Sequence, residues 1–185
     1  MYLKRIELNG FKSFNNKKEF IIKNGITGIV GPNGSGKSNV ADAIRWVLGE
    51  QSSKNLRGTR MEDVMVNGSQ ELAKKGFCEV ALVFDNADMR IVSEYTEICI
   101  RRKMYRSGES EYYINATACR LKDILDLFRD TGIGKEGYSI SGQGKIDEIL
   151  NSKATARRKV FEEAAGIMKY RVRKEEAEHN LEKTR

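Results

Sequence analysis

Apolar and polar residues alternate with different periods along the chain, and the changes of period mark its elements. Near the start, Ile6 and Leu8 alternate with charged residues, and KEFII (18–22) and ITGIV (26–30) are short apolar runs separated by Asn24-Gly25. All three read as strands. From Lys37 to Leu48 the period lengthens: Val40, Ile44, Val47 and Leu48 share one helical face, Trp46 packs near it, and Gly49 supplies a stop. DVMV (63–66) reads as a short strand and FCEVALVF (77–84) as a long one. The run from Tyr95 to Arg106, the turn SGES (107–110) and EYYINA (111–116) form a long antiparallel hairpin pattern. RLKDILDLFRD (120–130) is amphipathic, with Leu121, Ile124, Leu125 and Phe128 at helical spacing. Beyond Thr155 the chain is helix-like and highly charged. There Ile167, Tyr170, Lys174, Ala177, Leu181 and Thr184 step by three and four, the pattern of a short coiled-coil seam that reaches Arg185 without a stop signal.

This mixture of strands and helices predicts an α/β (α+β-like) fold. Its 185 residues, 39% of them apolar, suffice for one core, and no proline- or glycine-rich linker divides them. The net charge of +7 adds a second feature because it is unevenly spread. Lys153–Lys174 holds eight basic residues against Glu162 and Glu163, a net of 8 − 2 = +6. Such a segment is either a phosphate or nucleic-acid contact or a solvated helix face. Cys78, Cys99 and Cys119 are widely spaced, which predicts reduced thiols and neither a disulfide framework nor a zinc site. His179, the only histidine, sits in the charged helix as a solvated side chain, so His-based triads and His-rich metal sites are excluded. No apolar run approaches transmembrane length and MYLKRIELNG is no signal peptide, so a cytoplasmic protein without membrane contact is expected.

The candidate chemistry lies between the third apolar run and the first helix. GPNGSGKSN (31–39) fits G-x-x-x-x-G-K-[ST], in strand–loop–helix context. Gly31, Gly34 and Gly36 let backbone N–H groups approach phosphate oxygens, and the helix beginning near Lys37 adds its positive end. Lys37 is expected at the β- and γ-phosphates of a nucleoside triphosphate and Ser38 on Mg²⁺. Hydrolysis also needs an acidic residue at a strand end and a carboxylate to hold the attacking water. Asp85, after the apolar run ALVF, is one candidate, but Asn86 follows where a glutamate would help. Asp147-Glu148 follow Lys145 rather than a buried strand, and SISGQG (139–144) only faintly echoes an ATPase signature motif. The hydrolytic half is therefore expected to be missing. A self-contained NTPase using Asp85, or a nucleic-acid-binding module without turnover, stands as the alternative.

Longer motifs carry a resemblance. FKSF (11–14), GPNGSGKSNVADAIRWVLGEQS (31–52), LRGTRMEDV (56–64), YRSGESEYYIN (105–115), RLKDI (120–124), DTGIGKEGYSISGQGKIDEIL (130–150) and FEEAAGIMKYRVRKEEAE (161–178) together resemble the N-terminal head segment of a prokaryotic structural maintenance of chromosomes (SMC) protein. DNA-repair ATPases with the same split head share the phosphate loop, and GEQSSKNLRG and GIGKEGYSISGQGK separate the chain from them. The resemblance implies an ABC-type ATPase head split across a polypeptide. Residues 1–160 would form its N-terminal lobe, with an antiparallel β arm, and residues 161–185 the root of a coiled-coil helix. The signature motif, the Mg²⁺ aspartate and the catalytic glutamate would lie on a C-terminal segment, so this chain alone is expected to be inactive.

The same resemblance implies roles residue by residue. Gln143 corresponds to the glutamine-loop residue that reaches Mg²⁺ and the attacking water. Arg57 corresponds to an arginine that approaches the phosphates and tunes hydrolysis. Lys12 and Ser13 correspond to loop residues closing over the nucleotide, and Asn39 would reach the α-phosphate side. Pro32, Asn33 and Ser35 complete the loop around ATP. Partners implied are the C-terminal head segment, a second SMC head in a homodimer, a bridging kleisin-type subunit and double-stranded DNA. Arg60, Arg120 and Lys122, with part of Arg157–Lys174, are the expected DNA face, and the location implied is cytoplasmic and nucleoid-associated.

Overall fold

The computed structural model describes residues 1–68, 74–128, 131, 140, 158 and 168–184. They fall into two compact units, Met1–Ile124 and Leu125–Arg185. The boundary expected at residue 160 lies outside the described residues.

The first unit is built on a six-stranded sheet of order β2-β1-β3-β4-β5-β6, antiparallel throughout. Its strands are β1 (Tyr2–Asn9), β2 (Lys18–Ile21), β3 (Phe77–Asp85), β4 (Glu97–Tyr105), β5 (Ser110–Ile114) and β6 (Thr117–Cys119). Strand alternation explains the core. Ile6 and Leu8, then Cys78, Val80, Leu82 and Phe84, then Ile98, Ile100 and Met104 are all buried. Helix α1 (Lys37–Val47) packs on β3 and β4 and contributes Val40, Ala43, Trp46 and Val47. Phe11 closes the core against Trp46, with ring centroids 5.3 Å apart.

Arg102 enters that core from β4 at a position where alternation calls for an apolar residue. It is 3% exposed, its guanidinium carbon lies 4.5 Å from the Trp46 ring centroid and 5.1 Å from that of Tyr112, and Nη1 donates to the carbonyls of Trp46 (2.9 Å) and Glu50 (3.0 Å). Carbonyls at a helix C-terminus have no partner within the helix and carry its negative end. A cation there is favourable although burial draws the guanidinium below its ordinary pKa.

Three expectations from the sequence fail locally. ITGIV (26–30) joins no strand of the sheet, and Ile26, Ile29 and Val30 are exposed. An apolar strand needs a neighbouring backbone to take its hydrogen bonds, and no described strand runs beside residues 26–30. DVMV is not a strand: Met61–Val64 forms a 3₁₀ turn and Met65 makes a single bridge to Phe11. Asp63 causes this by accepting the N–H groups of Thr59 and Arg60 (2.8 Å each) and the Thr59 hydroxyl (2.7 Å), which closes the chain locally. Those bonds also hold the Asp63 carboxyl below its ordinary pKa, the Arg60 N–H contributing most. Asn115-Ala116, read as the end of a strand, is a two-residue turn into β6, with both residues at positive φ (46° and 68°).

In the second unit, α3 (Met168–Thr184) is one helix. Tyr170, Lys174, Ala177, Leu181 and Thr184 lie exposed along it, as does His179. Helix α2 (Leu121–Phe128) begins in the first unit and ends in the second, and Arg120 precedes it, donating its N–H to Asp123 at 2.8 Å.

Candidate functional site

Residues 31–39 wrap the N-terminus of α1. Gly34 and Gly36 take φ of 83° and 91°, a region that favours glycine. A methyl group on Gly36 would stand 2.6 Å from the Ser13 hydroxyl oxygen, and one on Gly31 would stand 2.8 Å from that of Ser35. Lys37 folds back across the loop and donates to the carbonyls of Gly31 (2.6 Å) and Pro32 (2.7 Å). Gly36 is the N-cap of α1 and offers no side-chain oxygen, and no acidic residue stands in the first turn. The first N–H groups of the helix are thus available to an anion, with no carboxylate to repel it.

The glycine backbone, the uncapped helix end and Lys37 suit a triphosphate. For Mg²⁺, no cluster of three His, Cys, Asp or Glu side chains exists among the described residues. None is needed where such an ion takes phosphate oxygens, water and one hydroxyl. Ser38 is exposed at the start of α1 and is the hydroxyl the sequence expects there. Gln143, the second expected Mg²⁺ contact, lies outside the described residues.

The other sequence-predicted residues come from distant positions to the same helix end. Phe11–Phe14 is a tight turn after β1, closed by a bond from the Phe14 N–H to the Phe11 carbonyl (2.8 Å) and pinned where the Lys12 N–H meets the Val64 carbonyl (2.7 Å). It places Ser13 where its hydroxyl accepts from the Asn39 amide at 2.9 Å. Asn39 Oδ1 in turn accepts from Arg57 Nη2 at 2.9 Å. Arg57 ends the 3₁₀ turn Lys54–Leu56 at a φ of 56°. Lys12, Ser13, Gly36, Asn39 and Arg57 therefore form one connected group. Arg60, Arg120 and Lys122 are exposed, and the structure puts none of them in this group.

Asp42 was not singled out in the sequence and proves to be the hub. It is 2% exposed, and its Oδ2 accepts from Lys12 Nζ and from Arg57 Nε (3.0 Å) and Nη2 (2.5 Å). Arg45 Nη1 stands 3.7 Å from Oδ1. The sequence carries little signal for Asp42, because its helical neighbours Ser38, Asn39 and Arg45 are polar and the position reads as a solvated face.

Asp85 does not join the site. It pairs with Tyr2 at the far end of β1, whereas β1 leaves the sheet at Asn9 to reach Lys12. Seven residues of strand separate the two ends, about 23 Å at ~3.3 Å per residue. Asp85 accepts the Ala87 N–H at 3.0 Å, and Asn86 is fully buried, bonded through its side chain to Ile91 and Tyr95. Both residues shape the loop after β3, so the self-contained reading based on Asp85 has no geometric support.

A glycine loop on a capless helix, flanked by a convergent Lys, Asn and Arg, defines a P-loop nucleotide-binding fold whose hydrolytic carboxylate is absent from the described residues of the site. The family model for the RecF/RecN/SMC N terminal domain matches residues 2–180, and the chain belongs to that family as an N-terminal SMC head segment. The chromosome partition protein Smc of Clostridium kluyveri is 60% identical over 184 residues, covering 100% of this chain and 16% of the relative. The chain thus spans about a sixth of the curated relatives it matches. A Pyrococcus furiosus Smc head domain with an extended coiled coil, bound to the C-terminal domain of ScpA, superposes with a TM-score of 0.85 at 37% identity, over 98% of this chain and 46% of that one. Another structure, described as structural biochemistry of ATP-driven dimerization and DNA-stimulated activation of SMC ATPases, gives a TM-score of 0.80 at 36% identity, over 89% of this chain and 99% of that one. The α/β fold expected from the sequence, that of an SMC ABC ATPase head domain, is the fold observed.

Proposed function

We propose that this chain is the ATP-binding part of a chromosome-partition ATPase whose hydrolytic groups lie on another segment. The observation that carries the reading is the cradle itself: Lys37 and the N-terminus of α1 face one loop, and Lys12, Ser13, Asn39 and Arg57 gather beside it. Lys37 exchanges the carbonyls of Gly31 and Pro32 for the β- and γ-phosphates of ATP. Backbone N–H groups of residues 33–38 bind phosphate oxygens, and Ser38 and Gln143 hold Mg²⁺, which when bound neutralises charge on the phosphates. Arg57 offers positive charge to the transferring group.

ATP shared between two heads favours their engagement by linkage, and its hydrolysis releases them. The other partners are the C-terminal segment of the same protein, a bridging kleisin-type subunit and double-stranded DNA. ATP-driven dimerization, DNA stimulation and ScpA binding are named for the related structures, which supports this assignment. Arg60, Arg120 and Lys122 contribute a sequence-indifferent DNA face with the basic segment 153–174. The protein works in the cytoplasm, on the nucleoid. No described helix is long and apolar enough to cross a membrane.

The test is reconstitution. ATP turnover is measured for the chain alone and after adding the C-terminal head segment, with Lys37→Ile in parallel. Turnover is expected only in the mixture and is abolished by Lys37→Ile. Steady hydrolysis by the chain alone, free of any complementing segment, overturns the proposal.

A further inference from the structure

A carboxylate as buried as Asp42 costs several kcal/mol unless it is paired. Lys12 and Arg45 alone supply two cations. The structure brings a third, Arg57, whose side chain is 52% exposed, a setting in which an ion pair by itself adds little stability. Both Lys12 and Arg57 hold left-handed backbone, at φ of 48° and 56°, which disfavours residues other than glycine. Two strained residues from separate loops thus converge on a single oxygen of the helix that starts at the cradle. Arg57 spends Nε and Nη2 on Asp42 and Asn39, and among the described residues its Nη1 has no acceptor. Lys12 also donates to the Leu56 carbonyl at 2.5 Å, so the residue just before Arg57 is fixed by the same ammonium.

We infer that Asp42 is the positioning residue of this site: it clamps one edge of the Arg57 guanidinium and the Lys12 ammonium, and so presents the other edge of Arg57, beside Asn39, to the phosphates of the nucleotide. The inference rests on the ATPase reading above and deepens it. Asp42 touches no phosphate. It acts by removing the rotational freedom of a long side chain before the transition state forms, so its loss lowers turnover more than nucleotide affinity. A lysine at 57 keeps the charge but cannot span Asp42 and Asn39 together.

The experiment uses the full-length protein. Asp42→Asn, Arg57→Gln, their double variant and Arg57→Lys are compared by kcat, by affinity for a fluorescent ATP analogue and by nucleotide-free melting temperature. Asp42→Asn is expected to lose about tenfold or more in kcat with analogue affinity within about threefold of wild type. The double variant should lose no more than the worse single variant, because both remove one device. Losses that multiply in the double variant, or an Asp42→Asn loss of kcat and affinity together, overturn the inference. If Asp42→Asn does not fold, Arg57→Lys decides: a kcat as low as that of Arg57→Gln at unchanged melting temperature supports the clamp, and more than half of wild-type kcat refutes it. Wild-type protein that neither binds the analogue nor hydrolyses ATP would instead refute the ATPase reading itself.

Discussion

Replacing Arg102 probes how the cradle is anchored at its rear. Its two bonds to the carbonyls of Trp46 and Glu50 are charge-assisted, on the order of 1.5 kcal/mol or more each. Stacking on Trp46 adds about 1 kcal/mol, and the buried three-carbon stem about 0.8 kcal/mol per methylene. Against these stands the relief of desolvating a cation that is 3% exposed, worth several kcal/mol. The balance for Arg102→Ala is a loss of about 3 kcal/mol, since two charge-assisted bonds are lost and a cavity is left. Arg102→Met restores the stem and should cost about 2 kcal/mol less than alanine. Urea unfolding of the head assembled from both segments, followed by circular dichroism, reads both values. A loss below about 1 kcal/mol for alanine, or equal losses for the two variants, refutes this account of the end of α1.

Other expectations follow from single features. Gly36→Ala meets both a φ of 91° and the Ser13 hydroxyl at 2.6 Å, so ATP-analogue affinity should fall by about tenfold or more in a binding titration. Burial pushes the Cys78 thiol up to about 12, so it should resist thiol reagents at pH 8 longer than Cys99 and Cys119, whose thiols are also raised by burial but lie nearer the surface. Because that pKa is raised above the 9.0 of the free thiol, its stabilising contribution is complete below pH 9 and is lost as pH rises from 9 towards about 12, which alkaline unfolding should register. Reversing Arg60, Arg120 and Lys122 in the dimerised protein should weaken DNA binding and reduce the slope of log affinity against log salt by up to about 2.7, at ~0.9 per phosphate contact. An unchanged affinity and slope would remove these residues from the DNA face.

The phosphate loop, its helix, the core strands and the β4–β5 hairpin were legible in the sequence. Each rests on local chemistry: glycine spacing, a 3.6-residue period, or strict alternation. Lys12, Ser13, Asn39 and Arg57 were singled out only through resemblance, because nothing local to FKSF or LRG points to a nucleotide. Their meeting at one helix end depends on β1, a turn and a 3₁₀ segment brought together by the fold, and only tertiary structure decided it. The same holds for Asp42 and Arg102, whose charges look like surface residues until burial and partners are known. The fate of ITGIV shows the converse. Hydrophobic pattern marks a segment as strand-forming, but a strand exists only where another backbone lies beside it to accept its hydrogen bonds, and pattern alone cannot supply that neighbour.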